Sequence, residues 1–288
     1  MVTGGDPAEA VLVGIDDTSY SWLAADWAAE EAELRGCALK VVHAVGRGVD
    51  GEGPTERVLE AAAGVLDDAR ARLGDARPGV PIETELVRDD PAEALLNASG
   101  GAGMVVVGTR GRGGFAGLLL GSVSRKVAAH ADRPVVVVRG DTGKADGIVV
   151  GVRDYRDEEA VRFALAEAEL RAGGPPSGGV RLVHAWTPLV HAGLAVPQVT
   201  NLDEERQAHA QLLNHAARPV AEYPKVQVDT ELIADSPAAA LVDASTRAGL
   251  VVLPRHPAEG RLGLHLGSVV HAVLHHASCP VAVVPVGR

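Results

Sequence analysis

A series of short segments occurs twice in this chain of 288 residues, both times in the same order. Val11-Leu12-Val13-Gly14-Ile15 returns as Ile148-Val149-Val150-Gly151-Val152, and Ala32-Glu33-Leu34-Arg35 returns unchanged at 168–171. Val42-His43-Ala44 returns as Val183-His184-Ala185, and Asp90-Pro91-Ala92 as Ser236-Pro237-Ala238. Gly121-Ser122-Val123 returns as Gly267-Ser268-Val269, and Pro134-Val135 as Pro280-Val281. Ordered self-similarity of this kind marks a tandem duplication. It divides the chain into a first domain at 1–140 and a second at 147–288. The stretch from Gly140 to Gly147 is small and polar, as a linker is.

Within each copy, all-apolar runs alternate with helical patterns. In the first copy strands are expected near 11–15, 39–44, 82–87, 104–108 and 134–138, with helices near 19–35, 55–73, 91–99 and 122–131. Asp90-Pro91-Ala92-Glu93 is a helix start: an Asp cap, Pro at the first helical position and Glu three residues after the cap. Five strands with helices between them predict an α/β fold, a doubly wound five-stranded parallel sheet in each copy. Aromatic residues are only 3% of a chain that is 47% hydrophobic, so Val, Leu, Ile and Ala must fill the core. That is the composition of strands buried on both faces.

Ligands of such sheets bind beyond the carboxyl ends of the strands, where strand order reverses. Asp16 after the first strand and Gly108 at the end of the fourth both fall at that edge. The fourth strand runs into Gly108-Thr109-Arg110-Gly111, and Gly121-Ser122-Val123-Ser124 then opens a helix. The glycines are expected to allow close approach of the backbone and to supply positive-φ positions. The unpaired N–H groups of a helix start attract anions, so the segment is read as a place to hold phosphates. Arg110 and Arg112 either add positive charge there or are solvated loop arginines.

At these points the chain resembles a tandem universal stress protein. The first copy meets the family's Gly-x2-Gly-x9-Gly-Ser/Thr motif with Gly108, Gly111, Gly121 and Ser122. It also meets the opening strand followed by Asp (Val13-Gly14-Ile15-Asp16), the His43-Ala44 ending of the second strand and the closing Pro-Val-Val-Val. The resemblance implies two domains of adenine-nucleotide alpha-hydrolase-like type. It implies ATP, with Mg2+, as the bound molecule, and a regulatory or protective role in stress or growth arrest. Carried over by position, Asp16 and Ala44, with Gly14 and Ile15 beside them, would border the adenosine. Gly108 and Gly111 would let the chain pass ribose and phosphates, with Arg112 near them. Gly121, Ser122, Val123 and Ser124 would hold phosphate oxygens. Family members pair through the last strand, which implies pairing of the two copies with each other and allows a homo-oligomer.

The second copy departs from the pattern. Asp16 corresponds to Arg153, Gly108 to Pro254 and Gly111 to Pro257. Proline lacks an N–H and cannot take positive φ. The second domain is therefore expected to bind ATP poorly, with a remodelled pocket in which Arg153 or Arg255 meets a different anion as the rival reading.

Other signals exclude whole classes. The net charge is −11, from 27 basic and 38 acidic residues, which argues against general nucleic-acid binding. No Gly-Lys-Ser/Thr makes the loop a Walker A motif. His271, His275 and His276 share a helix but lack the accompanying residues of a metal site, so no metal ligand is assigned. His43 and His184 recur at equivalent strand ends, which favours a structural hydrogen bond. Cys37 and Cys279 have no pairing or metal spacing, which fits a reducing cytoplasm. Residues 1–9 do not read as a signal peptide, and no apolar run approaches the roughly 20 residues that span a bilayer. A cytoplasmic protein without membrane contact is expected. No nucleophile, base and orienting acid recur at recognisable spacing, so a nucleotide-binding regulator is favoured over an enzyme. The alternatives are a slow ATPase and a nucleotide-free interaction module.

Overall fold

In a computed structural model the chain forms two compact units, 1–139 and 140–288. The residues described are 9–46, 53–111, 120–140, 142, 147–171, 178–188, 202–257 and 266–287. Arg112, the arm at 1–8, most of the linker, and most of the loops near 46–56 and 187–201 lie outside them.

The first unit contains β1 (Ala10–Ile15), α1 (Ser19–Arg35), β2 (Leu39–Ala44), α2 (Glu56–Ala76) and β3 (Ile82–Val87). It continues with α3 (Pro91–Ser99), β4 (Ala102–Gly108), α4 (Ser122–His130) and β5 (Val135–Val138). Its strands lie in the order β3-β2-β1-β4-β5 and pair in parallel. The second unit repeats the series. It has β6 (Ile148–Gly151), α5 (Glu158–Arg171), β7 (Val180–Ala185), α6 (Leu202–Ala216) and β8 (Val228–Ile233). α7 (Pro237–Ala244), β9 (Leu250–Arg255), α8 (Ser268–His276) and β10 (Val281–Pro285) complete it. Its order is β8-β7-β6-β9-β10, again parallel.

In each unit the strand order reverses between the first and fourth strands, which pair side by side, and the switch point lies at their carboxyl ends. The valine runs are central strands: Val105 and Val106 of β4 and Val11 to Val13 of β1 are wholly buried. Against them α1 lays a face of Ala24, Ala25, Ala28, Ala29 and Ala32, all buried. Small alanines bring the helix axis close to the sheet and leave little need for aromatic filling. Glu31, in the middle of this apolar layer, is held by Arg35 one turn on at 2.7 Å. The second unit repeats the device with Glu167 and Arg171.

The helix start at Asp90 forms as the sequence indicates. Its Oδ1 accepts the N–H groups of Ala92 and Glu93, each at 3.2 Å, and Pro91 occupies the first turn. Lys126 reaches across from α4 to Asp90 and Glu93. Burial raises the Asp90 carboxyl, but the Glu93 N–H, Lys126 and the Ala92 N–H outweigh it and hold it below its ordinary value. In the second unit Ser236 stands in the same place and makes no side-chain cap.

Asp90→Ala should lower stability by about 1 kcal/mol at pH 7, the usual worth of an N-cap. A carboxyl lowered by folding stabilises fully above its unfolded value near pH 4, and that contribution fades as pH falls through the folded value. Urea denaturation of both proteins across pH 2.5–7 (roughly the span over which a carboxylate titrates) should therefore show the difference at neutrality and its loss in acid.

Candidate functional site

In the first unit the carboxyl ends of β1, β2 and β4, the start of α2 and the N-terminus of α4 enclose a cavity of about 760 Å³. That lies within the range of about 300–1,000 Å³ usual for small-molecule sites. Gly14, Ile15 and Asp16 reach it from β1, and Ala44 from the end of β2. Gly108 and Gly111 line it from β4 and the following turn, and Gly121 to Ser124 from the start of α4. These sequence-predicted residues thus share one cavity, with Arg112 outside the described residues.

The glycines there meet one half of the expectation, close approach of the backbone, and not the other. None of Gly108, Gly111 and Gly121 has positive φ. Their value lies in the missing Cβ. A Cβ on Gly108 would lie 2.6 Å from the Tyr20 carbonyl oxygen, and one on Gly111 would lie 2.3 Å from Asp16 Oδ2. One on Gly14 would meet Leu95 Cδ1 at 2.7 Å. The chain is therefore pulled against α1 and Asp16 at the crevice, and the space in front stays open.

Asp16 is held in place from its own loop. Thr18 donates its hydroxyl to Asp16 Oδ1 at 2.7 Å, and its N–H points to the same oxygen at 3.3 Å. The Asp16 N–H donates to the Ser21 hydroxyl at 3.2 Å. Thr18 and Ser21 also cap each other across the first turn of α1. The His43 ring bonds the Ile15 carbonyl through Nδ1 at 2.7 Å, the strand-end hydrogen bond that the repeated His suggested.

At α4 the cap position is Gly121, and no side chain caps the first turn. The N–H groups of Ser122, Val123 and Ser124 are those that a helix leaves without an internal partner. Ser124 Oγ donates to the Gly108 carbonyl at 2.6 Å and is buried. Its hydroxyl proton fastens α4 to β4, which leaves its N–H and the Ser122 hydroxyl for a ligand. Arg110 lies over the Tyr20 ring at 4.5 Å from its centre and bonds the Tyr20 hydroxyl. Arg57 and Val58 of α2 also line the cavity, as does Leu95 of α3. Their contribution escaped the sequence reading because α2 has no counterpart to the glycine motif. Only the alternation of helix and strand brings its first turn there.

The second unit has a smaller cavity of about 480 Å³ at the equivalent edge. Arg153, Pro254, Arg255, His256 and Pro257 stand where the first unit has Asp16 and the Gly108–Gly111 turn, and Ser268 opens α8. Pro254 continues β9 beside Val284 and brings no N–H to the crevice. His184 bonds the Val152 carbonyl at 2.8 Å as His43 does Ile15, and its Nε2 lies 2.7 Å from His209 Nδ1. The His209 ring stacks on Trp186, with centres 4.5 Å apart. Burial, and then the charge of His184, hold His209 below the ordinary imidazole value against an opposing effect of Glu205.

An α/β unit with strand order 3-2-1-4-5 and an uncapped Gly-Ser helix start at the switch point occurs twice here, with Asp16 after the opening strand in the first unit and Arg153 in the second. The sequence profile of the Universal stress protein family matches residues 8–139 and again 145–285, and the chain belongs to that family as a tandem member. A universal stress protein of Mycobacterium tuberculosis is 33% identical over 295 residues, covering 95% of this chain and 96% of that one. One of Mycolicibacterium smegmatis is 32% identical with the same coverage. The crystal structure of a universal stress protein from Archaeoglobus fulgidus covers 97% of this chain and 99% of its own, with TM-score 0.74 and 18% identity, which shows the shared fold. Among the described residues no helix is long and apolar enough to cross a membrane.

Two expectations follow from this geometry. Gly108→Ala should cost about 1–3 kcal/mol, as overpacking does. Gly74→Ala, in open space on α2, should stabilise by about 0.5–1 kcal/mol. Chemical denaturation of the two variants tests the contrast. NMR titration should place the His209 midpoint below the free-imidazole value of about 6.5.

Proposed function

We propose that the first unit binds ATP as its magnesium complex and that the protein acts as a nucleotide-responsive regulator in the stress response named by its family. The reading rests on one observation: residues from β1, β2, β4 and α4, distant in sequence, converge on one cavity that ends at an uncapped helix N-terminus. The residues fit the group. Ile15, Ala44, Val42 and Leu95 offer an apolar wall for a base, and Asp16 is an acceptor suited to ribose hydroxyls. The N–H groups of Ser122 to Ser124 and the Ser122 hydroxyl face the place of a polyphosphate. Arg57 adds positive charge at the rim. The absent Cβ atoms at Gly108 and Gly111 keep the passage between the two ends clear.

Hydrogen bonds to a charged phosphate contribute about 1.5–3 kcal/mol each. Three or four of them, with partial burial of the base, offset the cost of association and bring affinity to about −8 kcal/mol, near micromolar. The second unit lacks the acceptor at Asp16 and both glycines, so it adds no second ATP site.

Calorimetric titration of the full chain with Mg-ATP, ADP, AMP and cyclic AMP should give one site per chain and a clear preference for the triphosphate. Gly111→Pro should weaken ATP at least tenfold without changing the second unit. No binding at millimolar ATP, or two equal sites per chain, would contradict the proposal. Phosphate release that disappears in Ser122→Ala would instead support a slow ATPase.

A further inference from the structure

Beside the cavity of the second unit lies a group of side chains that nucleotide binding does not use. A short 3₁₀ turn, Tyr155–Asp157, leads into α5, and Asp154 caps it. Asp157 is fully buried, and its Oδ2 accepts the N–H groups of Arg153 at 2.6 Å and Asp154 at 3.0 Å. One oxygen of the carboxylate is thereby committed to the loop. The other, Oδ1, lies 2.8 Å from Nε2 of His256, just past β9, whose side chain is 9% exposed.

This approach is close but not aligned as a hydrogen bond. Asp157 Oδ1 and both ring nitrogens of His256 are buried without a hydrogen-bond partner among the described residues. Native interiors seldom leave buried polar atoms unmatched, and each exception calls for a cause such as an ion. In a simple Asp–His pair the ring N–H points at the oxygen. Here the two donor atoms lie side by side, as cis ligands of one ion do. Asp154 brings a third: one ligand atom each from Asp154, Asp157 and His256 lie within 4.8 Å of one another.

We propose that Asp154, Asp157 and His256 bind one divalent first-row transition-metal ion, with zinc the best match. The imidazole nitrogen selects against Mg2+ and Ca2+, which take oxygen ligands, and two carboxylates balance the charge of the ion. Three protein ligands leave a position for water or an incoming group. Arg156 bonds Asp154 at 2.9 Å and is partly exposed, so Asp154 exchanges the guanidinium for the ion on binding, while Asp157 and His256 stay fixed. Among its described residues the first unit has no such site. Its N-cap and third helical residue are Thr18 and Ser21, and Arg110 stands where the second unit has His256. One ion per chain is therefore expected, whatever the first cavity binds.

The test is titration of the metal-free full chain with Zn2+ by calorimetry and with Co2+ by visible absorption. Two other histidine groups must be separated from the site: His271 with His275, whose rings lie 4.3 Å apart on α8, and His184 with His209. Wild type should bind one ion tightly, and His256→Gln should lose at least tenfold in affinity. The double variant His271→Ala/His275→Ala and the single variant His209→Ala should each keep the tight site. Should His256→Gln not fold, Asp154→Asn, at the partly exposed edge of the group, should show a loss of the same sense. Absence of Zn2+ binding, unchanged affinity in a folded His256→Gln or Asp154→Asn protein, or loss of the tight site in either control would overturn the proposal and leave a buried Asp–His ion pair.

Discussion

The close approach of β4 to the start of α1 governs the rest of this structure. Gly108 lies so near the Tyr20 carbonyl that no side chain fits between them. Beyond the strand Gly111 passes against Asp16, and the start of α4 lines the same cavity. Ser124 completes the arrangement by bonding the Gly108 carbonyl from α4. The end of β4 is thus seated on α1 and tied to the start of α4 by contacts that the absent Cβ of Gly108 allows. The open cavity in front of them follows from that packing.

The two repeats show how far such a frame tolerates change. Strand order, the His bond at the end of the second strand and the buried Glu–Arg pair persist in both. These features belong to the sheet and to the helix layered on it. The crevice has diverged instead. Pro254 and Pro257 replace two glycines, and an Asp157–His256 contact occupies the region where the first unit has Ser21 and Arg110. The frame carries stability, and the loops at the carboxyl edge carry whatever chemistry each unit has.

Much of this was legible in the sequence, for physical reasons. The valine runs read as central strands because both faces are buried. Asp90 read as a cap because Pro91 suits the first helical position and Glu93 follows three residues after the cap. The cavity-lining glycines were found by position, but for a partly mistaken reason: spacing cannot distinguish a need for positive φ from a need for no side chain. Arg57 and Val58 were missed because their place depends on how α2 packs, which no local motif encodes. The Asp154–Asp157–His256 group was invisible for a similar cause. His256 is distant from the two aspartates in sequence, and only the parallel pairing of β6 with β9 brings them together.

The central claim is that main-chain N–H groups at the start of α4 grip a polyphosphate. Its most direct test is the amide NMR spectrum of the labelled chain during addition of Mg-ATP. The account predicts large, saturable shifts of Ser122, Val123 and Ser124, with Ser268 to Val270 at the matching start of α8 unmoved. Shifts that avoid α4, or that appear equally at both helix starts, would contradict it.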